Sequence, residues 1–142
     1  MHDLRRALKS FVSVGWFENV EHKAEEGTVP TALIAATHEF GSPKRHIPAR
    51  PMLRFVADQH GKEYRALAKR LWDELLAGKL PSVESALTIL GARIEADVKR
   101  RISDGPFEPL SQRTIDKKGS SQPLIDTGAM RAQVTNRVVI LR

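Results

Sequence analysis

Apolar residues recur with a period of two along Phe11-Val12-Ser13-Val14-Gly15-Trp16-Phe17, where Val12, Val14 and Trp16 fall on one side, and this pattern predicts a β-strand. Residues 18 to 29 are acidic and polar, closing in Glu25-Glu26-Gly27-Thr28, the composition of an exposed connection. Pro30 suits an early helical position ahead of Ala32-Leu33-Ile34-Ala35-Ala36, a short helix of strong propensity that stops at Gly41. Pro43, Pro48 and Pro51 allow no regular element across residues 42 to 50.

From Pro51 onward the spacing changes to threes and fours. Met52, Leu53 and Val56 lead to Tyr64, Leu67, Leu71, Trp72 and Leu75, a long helix that Gly61 is expected to bend or weaken and Gly78 to end. A second long helix starts at Ser82, with Val83, Leu87, Leu90, Ile94, Val98 and Ile102 along one stripe. Glu84 lies in its first turn and Lys99, Arg100 and Arg101 in its last, as the helix dipole favours, and Gly105-Pro106 forbids continuation. The segment from Gln133 to Leu141 returns to strand composition, with Val134, Val138 and Ile140 on one face. One-sided stripes need an apolar partner, and the two strands supply it. The chain therefore reads as a single α+β domain over residues 1 to 142, a small antiparallel sheet packed against two long α-helices with long ordered loops. Two strands alone are marginal, so a third pairs from residues 18 to 29 or the sheet is completed across a subunit boundary.

A chain of 142 residues can bury a core without cross-links. It has no cysteine, which removes disulfides and thiolate metal sites and suits assembly in a reducing cytoplasm. His2, His22, His38, His46 and His60 show no metal-ligand spacing, so neither a metal nor another cofactor is expected. Met1-His2-Asp3-Leu4-Arg5-Arg6 has no apolar run behind it, and nowhere do eighteen apolar residues follow one another, so a soluble protein without a cleaved leader or a membrane partner is expected. The net charge of +6 divides as +4 over residues 1 to 71 and +2 over the rest, an even spread that argues against a dedicated nucleic-acid arm and leaves only weak, salt-sensitive attraction to DNA.

Two loops carry the rest of the information. The first runs from Thr37-His38-Glu39-Phe40-Gly41 to Ile47-Pro48-Ala49-Arg50-Pro51, with Lys44, Arg45, His46 and Arg50 making it basic. The second runs from Pro109-Leu110-Ser111 through Lys117-Lys118-Gly119-Ser120 to Pro123-Leu124-Ile125-Asp126-Thr127-Gly128. Ser111 can cap a helical turn over residues 112 to 118, and Asp126 another over 127 to 131, with Ile125 and Met130 placed as a hydrophobic staple. Such loops either hold a long connection against the core or contact a neighbouring subunit. Their prolines lower the entropy lost on ordering, and Arg45 and Arg50 have the fork geometry to grip carboxylates or phosphates.

The two loops, in this order and at this separation, closely resemble those of small virion-morphogenesis proteins of tailed bacteriophages, the group that contains tail-completion and tail-terminator proteins of the neck. The resemblance covers roughly residues 11 to 140. It implies a structural protein of the virion, made in the host cytoplasm, that closes the tail tube end as a ring and joins tail to head. The implied partners are other copies of the chain, six by the resemblance to terminators, together with the tail tube protein and the head connector or neck proteins. Arg45, His46, Arg50, Arg113, Lys117, Lys118 and Asp126 are then the candidates for the subunit interface.

No catalytic motif supports an enzyme. His38, Ser42 and Asp126 can be written as a triad, but no Gly-x-Ser-x-Gly elbow accompanies them, and Asp126-Thr127-Gly128 is accounted for as a helix cap rather than an aspartic-protease tripeptide. His38 reads as a partly buried helix residue rather than a base. The rival readings are a non-specific DNA-contacting module, with DNA threaded through a ring, and a morphogenesis factor that leaves before the particle is complete. Lys99-Arg100-Arg101 and Lys117-Lys118 are the best nucleic-acid candidates, but no aromatic ladder is present to stack bases.

Overall fold

The computed structural model describes residues 9–17, 21–24, 27–107, 116 and 128–140. The first strand, β1 (Phe11–Gly15), pairs antiparallel with the last, β4 (Thr135–Val139), with Val12 opposite Val138 and Val14 opposite Asn136. Between them in sequence, β2 (Glu21–Ala24) and β3 (Gly27–Pro30) form a separate antiparallel hairpin. Residues 18 to 29 are expected to be an exposed connection or to supply a third strand to the main sheet, whereas the described part of this segment pairs with itself. A backbone ladder forms as readily from polar residues as from apolar ones, so Glu21-His22-Lys23 leaves no apolar period to read.

Helix α1 (Thr31–Phe40) buries Thr31, Ala35 and Glu39 along one side, at four-residue spacing, and turns Leu33, Ala36 and Phe40 outward. Helix α2 (Leu53–Leu76) continues through Gly61 as one element, and Gly78 at φ 70° reverses the chain after it. Helix α3 (Val83–Asp104) begins where Ser82 Oγ accepts from the Ser85 amide at 3.1 Å and stops before Gly105-Pro106. The two long helices are antiparallel, since Phe55 lies against Arg101 and Tyr64 bonds to Asp97. The last helix, α4 (Ala129–Ala132), is a single turn that leads into β4.

The architecture is α+β, as the patterning predicts. Helix α3 lies directly on the β1–β4 sheet, and α2 packs along α3. Helix α3 meets the sheet tightly at Gly91, where a Cβ would stand 2.6 Å from Val12 Cγ2 and 2.9 Å from Asn136 Oδ1, so only glycine lets the helix sit this low. The core gathers at one end of the helical hairpin, where α2 begins and α3 ends: Ala35, Met52, Val56, Val98, Ile102, Met130 and Val134 are buried together. Towards the other end Leu71 and Ala86 are buried, while Val83, Leu87 and Leu90 are only half-buried. Among the described residues no helix is long and apolar enough to cross a membrane.

Candidate functional site

The first loop is a closed hairpin tied to both helices beside it. Gly41 at φ 72° lets the chain reverse after α1 and pass so close to the returning strand that a Cβ would meet the Ala49 amide nitrogen at 2.8 Å. Ser42 and Ile47 then exchange backbone bonds of 2.8 and 3.0 Å, closing a turn in which Pro43–Arg45 is a short 3₁₀ segment. His46 takes the left-handed conformation at φ 53°, and its amide donates to the Pro43 carbonyl at 3.2 Å. Regular structure therefore exists where three prolines argued against it, because a 3₁₀ turn accepts proline at its start. Lys44, Arg45 and His46 stand exposed at the tip.

The base of the hairpin is fixed by Glu39. The residue is 6% exposed, and its carboxylate accepts from the Met52, Leu53 and Arg54 amides at 2.6, 3.0 and 3.0 Å. These are the unpaired donors at the start of α2, where the helix dipole also favours negative charge. A carboxylate from α1 thus caps a helix thirteen residues away. The Arg50 amide donates to the His38 carbonyl at 2.6 Å, which draws the returning strand against α1.

Arg101 joins this base to the root of the second loop. Its guanidinium carbon lies 3.7 Å above the Phe55 ring and 4.2 Å from the Phe107 ring, and its Nε donates to the Pro51 carbonyl at 3.4 Å. Burial lowers its pKa from the ordinary arginine value, with the negative charge of Glu39 opposing that shift. Phe107 stands where the second loop departs, and Met130, buried in the core beside Met52, stands where it returns. Trp16 Nε1 fixes that return by donating to the Met130 carbonyl at 2.8 Å. Both signature loops spring from one end of the molecule.

The interface candidates divide accordingly. Arg45 and His46 are exposed at the hairpin tip. Arg50 is not available there: its side chain is 5% exposed, because the backbone bond to His38 carries this end of the loop inward. Arg113, Lys117, Lys118 and Asp126 lie outside the described residues, as do Ser111 and Ile125. The helical turn expected over residues 127 to 131 is shorter, Ala129–Ala132, and is entered through Gly128 at φ 74°. Lys99, Arg100 and Arg101 do not act as a simple complement to the helix dipole. Lys99 bonds to Glu95 at 2.6 Å, Arg100 lies 3.3 Å from Asp97, and Arg101 is the buried joint just described.

A second polar cluster lies midway along the helical hairpin. Asp97, 3% exposed, accepts from Tyr64 Oη at 3.0 Å and from Arg93 Nε at 2.8 Å on one oxygen, with Arg100 facing the other. Burial pushes its carboxyl pKa up, but the hydrogen bonds from Arg93 and Tyr64 and the Arg93 charge outweigh this and hold it below the ordinary value. Burial, then the Asp97 hydrogen bond, pushes the Tyr64 hydroxyl well above its ordinary value. Glu95 is similarly held low: burial opposes, and hydrogen bonds from Lys99 and Asn136 prevail.

Sequence patterning identified neither Glu39 nor Asp97 as buried. Both sit in register with an apolar face, Glu39 four residues beyond Ala35 and Asp97 beside Val98, and that registration is the signal that finds them. Among the described residues no group of three or more histidines, aspartates or glutamates is placed to hold a metal ion. His38 is a half-buried helix residue, and the Glu39 carboxylate beside it is occupied with backbone amides. No family model matches the chain, and no curated protein or solved structure matches it either.

Proposed function

We propose that this chain is a structural protein of the neck of a tailed-phage particle or prophage, closing the end of the tail tube as a ring and joining tail to head. The observation that carries the reading is the common root of the two signature loops. Glu39 fixes the first loop to the start of α2, and Arg101 ties that start to the root of the second through Phe55 and Phe107. A contact repeated around a cylinder needs surfaces that hold their shape before binding, since ordering them on contact would cost affinity. The bridged hairpin meets this need and displays Lys44, Arg45 and His46 on a rigid support. These side chains face a neighbouring subunit or an adjoining tail or head protein.

The DNA-contacting reading has one observation in its favour, a shallow groove of about 440 Å³ lined by Ala96, Lys99, Arg100, Ser103, Asp104 and Arg131. Two of its cations, Lys99 and Arg100, are paired with Glu95 and Asp97, so it supports a weak, salt-sensitive contact and ranks second. Reversing charge at Lys44 and Arg45 together tests the first reading. The variant should fold as the parent does, by circular dichroism, while particles assembled with it show unjoined heads or tails of abnormal length. Normal joined particles would leave the hairpin tip without a role in assembly.

A further inference from the structure

The β1–β4 sheet has only two strands, and among the described residues neither outer edge has a partner. Helix α3 covers one of its faces, with Gly91 seated on Val12 and Asn136. A sheet of this size is marginal in water, and single-chain proteins usually protect such an edge with charge, proline or a bulge. β1 reads Phe-Val-Ser-Val-Gly and has neither charge nor proline, while Phe11 at its start is 47% exposed. The single cation of β4, Arg137, lies 4.3 Å over the Phe17 ring. Unpaired amides and carbonyls in a row recognise another extended strand.

We infer that the β1 edge of one copy pairs with the β4 edge of the next, so that the sheet continues from subunit to subunit. This rests on the ring reading above and names the contact that closes the ring. The two edges belong to different strands, and a contact between unlike surfaces repeats in one direction and makes a ring where its rotation closes. The strand sense is consistent with that closure. Within a protomer β1 and β4 are antiparallel, and rotation about one axis keeps every β1 pointing one way and every β4 the other. Each junction between subunits is then antiparallel too. Both strands have five residues, so the ladder can run their full length.

The absence of cysteine from the chain makes the contact directly testable. Ser13→Cys on β1 and Arg137→Cys on β4 are placed in separate chains, because Ser13 and Arg137 face each other within one chain. The two chains are co-produced, purified, oxidised and run on a non-reducing gel, and a second pairing with Thr135→Cys covers a shift of register or a failure of one variant to fold. Melting curves check each fold, and sedimentation reports assembly. The expected result is a covalent dimer when the β1 and β4 variants are present together and none from either alone, in assemblies of parental size. Assemblies of parental size without that dimer would overturn the edge contact and leave the ring reading standing. Cross-linking of Ser13→Cys alone would also overturn it, by showing like edges paired. Monomers throughout, the parent included, would remove the ring reading and the edge contact with it.

Discussion

Two buried carboxylates hold this molecule together in different ways. Glu39, at the root of the loops, presents its carboxylate to backbone amides, those of Met52, Leu53 and Arg54 at the start of α2. Asp97, midway along the helical hairpin, bonds to the side chains of Tyr64 and Arg93 and forms an ion pair with Arg100. If Asp97 is lost, Arg93 and Arg100 can swing into water, because both are exposed. The amides that face Glu39 have no such freedom, since the helix fixes them. The loop root is therefore a rigid joint that depends on one residue, whereas the mid-hairpin cluster is a redundant brace.

Glu39→Ala should show the larger effect, destabilising the fold by about 3 kcal/mol as buried donors lose a charged acceptor. Denaturant titration measures it, and a change below about 1 kcal/mol would mean that water replaces the carboxylate and the joint is not rigid. Gly91→Ala probes packing away from both carboxylates and should cost about 2 kcal/mol, because the added methyl meets Val12 and Asn136. The same titration checks it, and a neutral result would place α3 further from the sheet. Asp97→Asn should cost only about 1 kcal/mol, since an amide oxygen still accepts from Tyr64 and the arginines rehydrate.

Acid should probe the mid-hairpin cluster as well. Asp97 and Glu95 have pKa values below those of unfolded carboxyls, so the stability they add is fully present above the unfolded values, roughly pH 4, and is lost as pH falls through the lower folded ones. Melting temperature measured from pH 7 downward should fall more gently for Asp97→Asn than for the parent. Identical acid limbs would show that Asp97 is not held as its partners require. The smallest effect on stability belongs to the exposed hairpin tip: Lys44→Glu with Arg45→Glu should change it by less than about 0.5 kcal/mol. A larger loss would mean that the tip serves the fold itself.

The long helices were legible because their side chains repeat at the period of the backbone, and because Ser82 and Gly105-Pro106 mark the ends of α3 in residue type alone. β1 and β4 were legible from alternation, with Val12 and Val14 placed opposite Val138 and Asn136. The β2–β3 hairpin was hidden, since backbone pairing among polar residues leaves no apolar trace. Arg50 was misread as a loop cation because composition counts charge without seeing the bond from its amide to His38. Glu39 and Arg101 were missed for a related reason: a carboxylate that caps a helix from a different helix, or a guanidinium between Phe55 and Phe107, joins residues far apart in sequence. The two loops were visible as motifs, but their common root exists only in three dimensions.

Copies of this chain are proposed to close into a ring held by the uncharged backbone ladder between β1 and β4, with the basic hairpin tip facing the adjoining tail or head protein. The mass of the purified protein, measured by sedimentation from low salt to about 1 M, where the Debye length falls to roughly 3 Å, tests it most directly. One closed assembly of fixed size should persist across the series. A monomer at every salt concentration and protein concentration, or an assembly that dissolves as salt rises, would contradict it.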